Sequence, residues 1–169
     1  MDRRYEIIKS ASSITVSILS LSLSYIQAYT AINNLISTYL YIDLFYTTKR
    51  DMILHHVSTL LFLVSVRNVP YEKFSQQTNT IVNMEISSIF LGFMTLFRER
   101  VIRVGNGIVL ANQIVFMITF TKYRIWDYFW QIIMVNEYPN RKTKAALITL
   151  FLLDLYWFVL ICKKAMKQF

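Results

Sequence analysis

Apolar positions in this chain come in long uncharged runs, broken by short polar and basic segments. A membrane-spanning helix needs about 20 mostly apolar residues, because a rise of 1.5 Å per residue must cross a hydrocarbon core about 30 Å thick. Residues 10–42 carry no charge at all. That run is too long for one crossing, so it predicts two helices, about 7–26 and 28–47, divided near 25–30. The stretch 52–66 is short and contains His55 and His56, and the polar lead 47–51 extends it into the headgroups. It ends at Arg67-Asn68-Val69-Pro70, since proline disfavours helix in the residue before it. Residues 75–97 are broken only by Glu85, 104–121 are uncharged, and 145–162 carry only Asp154. The pattern predicts an all-α, polytopic membrane bundle: one domain over 1–169, with six transmembrane helices near 7–26, 28–47, 52–66, 75–97, 104–121 and 145–162. No internal repeat and no soluble domain stands out.

Composition agrees with that reading. The chain is 55% apolar and only 17% charged, whereas soluble domains are nearer a quarter charged. Three Gly and two Pro in 169 residues favour long helices over strands and turns. The first apolar run has basic residues before it but no small-residue cleavage site, and it reads as a first membrane helix rather than a removed signal.

The net charge of +8 changes the picture less than it would in a soluble protein. The basic residues cluster beside apolar runs: Arg3/Arg4/Lys9, Lys49/Arg50, Arg98/Arg100/Arg103, Arg141/Lys142/Lys144 and Lys163/Lys164/Lys167. Such clusters set topology and meet anionic headgroups, and no basic face or binding motif points to nucleic acid. With a cytosolic N-terminus, eleven Lys and Arg fall inside and seven outside. The positive-inside rule then places both termini in the cytosol. Lys122-Tyr123-Arg124, followed by Trp126, Tyr128, Phe129 and Trp130, reads as an interfacial aromatic belt on the outer side. The single cysteine, Cys162, excludes an intramolecular disulfide; beside Lys163 and Lys164 it suits either palmitoylation or a plain apolar helix position.

The candidate chemistry lies in groups that are costly to bury. A charge at a membrane helix centre costs about 2.5–3.5 kcal/mol on insertion scales, so such residues face the bundle interior and take partners. Asp43, His55, His56, Glu85 and Asp154 all fall within expected crossings. Asp43 and His55 flank the turn between the second and third helices and share a depth near the cytosolic interface. Adjacent helical side chains point about 100° apart, so at most one histidine is expected to face Asp43. A carboxylate there can fix the imidazole tautomer for base chemistry, or the bond can merely satisfy both groups. Asp43, His55 and Glu85 could converge on a metal, but the H-E-x-x-H spacing is absent and no metal is expected. Asn83, Ser87 and Ser88 are candidate hydrogen-bond partners for Glu85, and Asp154 reads as a polar contact between helices. No G-x-S-x-G, P-loop or G-x-G-x-x-G occurs.

Taken in order, these residues resemble the TLC domain, named for TRAM, Lag and CLN proteins. Tyr39 and Tyr41 before Asp43, the basic turn Lys49-Arg50, then Asp51, His55-His56 and Thr59 match its core pattern. Met84-Glu85-Ile86-Ser87-Ser88-Ile89-Phe90 is similar to the family's Glu-x-Ser-x-Pro-Phe helix, with Ile89 in place of Pro. Phe120 to Arg124 resembles a Phe-x-x-x-Arg element. Leu152-Leu153-Asp154-Leu155-Tyr156-Trp157-Phe158 resembles the closing Leu-Asn-x-Tyr-Trp-Phe helix, with Asp for Asn. Upstream, Ser12-Ser13-Ile14-Thr15 is similar to a Ser-Thr-x-His start, with Thr15 for His.

The resemblance implies a multi-pass membrane protein of the endoplasmic reticulum, engaged in sphingolipid or phospholipid homeostasis. It would bind a membrane lipid within the bundle through Asp43, His55, His56, Glu85 and Asp154, with no cofactor and with oligomers allowed. The alternative is acyl-CoA-dependent N-acyl transfer of the ceramide synthase type, with His55 or His56 as the catalytic base and acyl-CoA as co-substrate. Ceramide synthases carry a second His-Asp pair on the helix after the His-His helix. Here that helix offers Asn83, Met84 and Glu85, so the pattern is closer to the small TLC-domain proteins.

Overall fold

The computed structural model describes residues 3–67, 69–130 and 141–166, with residues 142, 143 and 164–166 described by their backbone alone. Asn68 of the helix stop lies outside the described residues, as do Lys167 and the side chains of Lys142 and Lys164 in the basic clusters. The described chain is helical throughout: α1 (Arg3–Tyr25), α2 (Tyr29–Tyr46), α3 (Arg50–Val66), α4 (Tyr71–Arg98), α5 (Asn106–Thr119), a π-helical segment (Phe120–Asp127) that continues α5, and α6 (Arg141–Met166).

Three of these are long and apolar enough to cross a membrane: α1, α4, and residues 144–163 of α6. The other three are short or carry polar residues. Asn33, Asn34 and Asp43 interrupt the 18 residues of α2. The 17 residues of α3 include Arg50, Asp51 and both histidines. Regular α-helix in α5 stops after 14 residues, where the π segment begins. The outer surface is nonetheless apolar along the short helices too, with Leu61, Val64, Ile114 and Ile118 exposed.

The helices close into a ring. α1 packs on α2 and α4, α2 on α3, α3 on α6, α6 on the π segment, and the π segment and α5 on α4. No glycine or proline divides α1 from α2. Gln27 takes the left-handed conformation (φ 57°), with Gln27 N–H donating to Ser24 O at 3.0 Å and Ala28 N–H to Leu23 O at 2.9 Å. This is a Schellman ending with Gln at the position glycine usually fills. Arg100 (φ 56°) ends α4 in the same way.

Along α1, Ser10, Ser17 and Ser20 are buried at heptad-like spacing and let α4 approach closely. At Gly92 of α4, a Cβ atom would lie 2.5 Å from Ile14 Cγ1 and 3.2 Å from the Ser10 carbonyl oxygen. The apolar core occupies the half of the bundle away from the N-terminus, around Ile32, Ile36, Phe62, Leu63, Val82 and Leu147. The other half is hollow.

Candidate functional site: a cavity between paired charges

The hollow half holds a cavity of about 430 Å³. Along α4 its wall runs from Arg98 to Glu85, about 20 Å at 1.5 Å per residue. It is therefore a shaft from one end of the bundle to mid-depth. A second cavity of about 40 Å³ lies beyond and shares Tyr39, His55, Glu85 and Arg124 with it.

Two buried polar clusters support the walls. In the first, the short α2–α3 turn brings Asp43 and His56 together: His56 Nε2 lies 2.6 Å from Asp43 Oδ2. Lys9 Nζ of α1 sits 2.8 Å from the same oxygen, Tyr5 donates to Asp43 Oδ1 at 2.9 Å, and Thr47 donates to Oδ2 at 3.2 Å. Four donors around one carboxylate account for its burial at 6% exposure. With Asp43 ionised, His56 donates from Nε2, and its buried Nδ1 has no partner among the described residues.

His55 turns away from Asp43, as the 100° step between neighbours requires. Its ring packs against Trp157 of α6, with centroids 5.2 Å apart. Trp157 is held in turn by donating Nε1–H to Asp51 Oδ2 at 3.0 Å. The buried Nδ1 of His55 also lacks a partner among the described residues. Both histidines line the main cavity, whereas Asp43 stands behind the wall.

The second cluster is built around Arg124. Its Nε donates to Ser87 at 2.8 Å, Nη2 to Ser88 at 2.9 Å, and Nη1 to Asp154 at 3.3 Å. This corrects two sequence expectations, on Arg124 and on the partners of Glu85. Arg124 is not an outer-loop charge but a cavity-wall residue, 7% exposed. Ser87 and Ser88 serve Arg124, while Glu85 receives its hydrogen bond from Ser17 at 2.8 Å. Asp154 is 1% exposed, is absent from the cavity wall and neutralises Arg124 from behind. The aromatic belt also divides: Trp126 and Trp130 are exposed, but Tyr128 is buried and donates to Leu147 O at 3.2 Å. The π segment explains the misplacement. Helical structure continues past Thr121, and the wider turn carries Arg124 inward.

Asp43, His55 and Glu85 do not come together as a metal-holding group among the described residues. Of the sequence-derived candidates, His55, His56 and Glu85 reach the cavity, while Asp43 and Asp154 back it. Lys9, Tyr5, Ser17, Arg124 and Trp157 are the additions. Lys9 and Arg124 look like topology charges in sequence, and only the ring closure reveals their carboxylate partners. The serine spacing on α1 is the one local signal that could have revealed Ser17. Compared with known proteins, the chain matches no family model, no curated protein and no solved structure.

Proposed function

We propose that the protein is a multi-pass membrane protein of TLC type that binds a membrane lipid inside its helix bundle and thereby contributes to membrane lipid homeostasis. All six helices cross the bilayer in this reading, with both termini cytosolic and the endoplasmic reticulum as the membrane. The observation that carries it is the cavity of about 430 Å³, which joins apolar walls at Leu91, Phe116 and Leu160 to polar groups at His55, His56, Glu85 and Arg124. Ligand pockets of this kind are mostly apolar with a few placed polar groups, and span about 300–1,000 Å³. Short helices suit this role, because polar residues that would be costly against lipid instead face an internal space.

Photo-crosslinking tests it directly. Purified protein is reconstituted with a photoactivatable, clickable sphingolipid or phospholipid, and the labelled peptides are mapped. Labels on 85–98 and 116–124 are expected. Labels confined to outward-facing positions such as Leu61 and Ile118 would count against the reading.

A second reading is favoured by one feature. The Asp43–His56 pair, with the other imidazole nitrogen unpartnered at the cavity, has the form of an oriented general base. That arrangement supports N-acyl transfer from acyl-CoA, with His56 rather than His55 as base. Against it, α4 supplies no histidine, and Glu85 stands where a second His-Asp pair is expected. Labelled sphingoid base and acyl-CoA supplied to purified protein separate the two readings; ceramide formation that stops in a folded His56→Ala variant establishes the enzyme.

A further inference from the structure

We infer that the cavity selects its lipid by a phosphate monoester headgroup, held by the N–H groups of Arg124 and Lys9. The inference rests on the lipid-binding reading above and specifies which chemistry that site takes. Both buried ion pairs have the same orientation. The carboxylates of Asp43 and Asp154 stand behind the wall, and Lys9 and Arg124 form part of it. Each pair thus turns its cationic end to the cavity.

Neither cation is saturated by the described residues. A guanidinium has five N–H groups, and Ser87, Ser88 and Asp154 take three of Arg124's. One N–H remains on each terminal nitrogen among the described contacts, a pair suited to two oxygens of one oxyanion. An ammonium has three donors, and Asp43 and Thr47 take two of Lys9's. Arg124 is 7% exposed, so a ligand oxygen that meets its free donors also offsets part of the cost of burying them.

The number of free donors indicates which oxyanion. The wall's cations are Lys9, Lys49, Arg98 and Arg124, and Glu6 and Glu85 in the wall with Asp43 and Asp154 behind it balance their charge. Two N–H groups on Arg124 and one on Lys9 match the three terminal oxygens of a phosphate monoester better than the two oxygens of a carboxylate. Glu85 opposes the phosphate from the same wall, so removing its charge strengthens binding under this inference.

Dodecyl phosphate, dodecanoate, dodecylamine, dodecanol and inorganic phosphate are titrated into the full chain in an uncharged maltoside detergent, with thermal shift and calorimetry as readouts. Dodecyl phosphate is expected to bind about tenfold more tightly than dodecanol or dodecanoate, the gain from one charge-assisted hydrogen bond. Arg124→Lys, which keeps the charge opposite Asp154 but loses the paired N–H groups, is expected to weaken dodecyl phosphate about tenfold. Glu85→Gln, which breaks no ion pair, is expected to tighten it.

Equal binding of all four single-chain probes overturns the phosphate selection and leaves lipid binding standing. Equal binding of inorganic and dodecyl phosphate keeps the anion site and removes the lipid. Stronger binding of dodecylamine, lost in Glu85→Gln, overturns the inference in favour of a cationic headgroup. Dodecanoate binding as tightly as dodecyl phosphate also overturns it, and binding of no probe overturns both readings.

Discussion

Replacing Arg124 with methionine should destabilise the bundle by about 3–5 kcal/mol, the usual cost of removing one partner from a buried ion pair. The geometry places the effect at that level. Asp154 is 1% exposed, its Oδ1 takes a hydrogen bond from Arg124 Nη1, and its Oδ2 has no partner among the described residues. A thioether side chain in place of the guanidinium would leave that carboxylate in an apolar interior without its counter-ion. Asp154→Leu alone should cost a similar amount, because Arg124 would keep only the serine hydroxyls as acceptors. The double variant Arg124→Met/Asp154→Leu should recover most of the loss, since apolar replacement of a whole buried pair is often neutral or stabilising by about 1–4 kcal/mol. Unfolding of the purified proteins in mild detergent, titrated with SDS and followed by Trp fluorescence, supplies the cycle. A single Arg124→Met variant within about 0.5 kcal/mol of the parent, the range typical of surface changes, would refute the buried placement of both residues.

Other outcomes follow from the same contacts. Gly92→Ala should lose about 1–3 kcal/mol by overpacking the α1–α4 seam, and Ile14→Ala in the same chain should restore part of it, both read by the same SDS titration. Asp43→Asn should lower the thermal midpoint more than His56→Gln, because Asp43 serves Lys9, Tyr5, Thr47 and His56 together while His56 loses one bond. Purified protein should form no ceramide from acyl-CoA and sphingoid base above the rate of a His55→Ala/His56→Ala variant. Glycosylation acceptors fused to either terminus should stay unmodified in microsomes, whereas one inserted between α3 and α4 should be modified.

The helical class and the approximate positions of the six helices could be read from apolar runs with at most one charge, because burying backbone polar groups in lipid leaves few alternatives to a helix. The α1–α2 division was visible only as a length argument, since Gln27 rather than Gly takes the left-handed turn. The Asp43–histidine proximity followed from a short turn, and the choice of His56 required the actual rotation of α3. Arg124 was misplaced because its neighbours Lys122, Trp126 and Trp130 are exposed, as in an interfacial belt, and a change from α to π winding leaves no mark in composition. The partners of Glu85 were misassigned for a related reason. Ser87 and Ser88 are its neighbours in sequence, but they face Arg124, and Ser17 reaches Glu85 from α1.

Native mass spectrometry of the protein released from gently extracted membranes tests the central claim most directly. The parent chain should retain a bound lipid, and Leu91→Trp, which fills the cavity from its apolar wall, should lose it while keeping its fold and thermal midpoint. A parent chain that carries no lipid, or a folded Leu91→Trp variant that carries the same lipid as the parent, would contradict binding within the bundle.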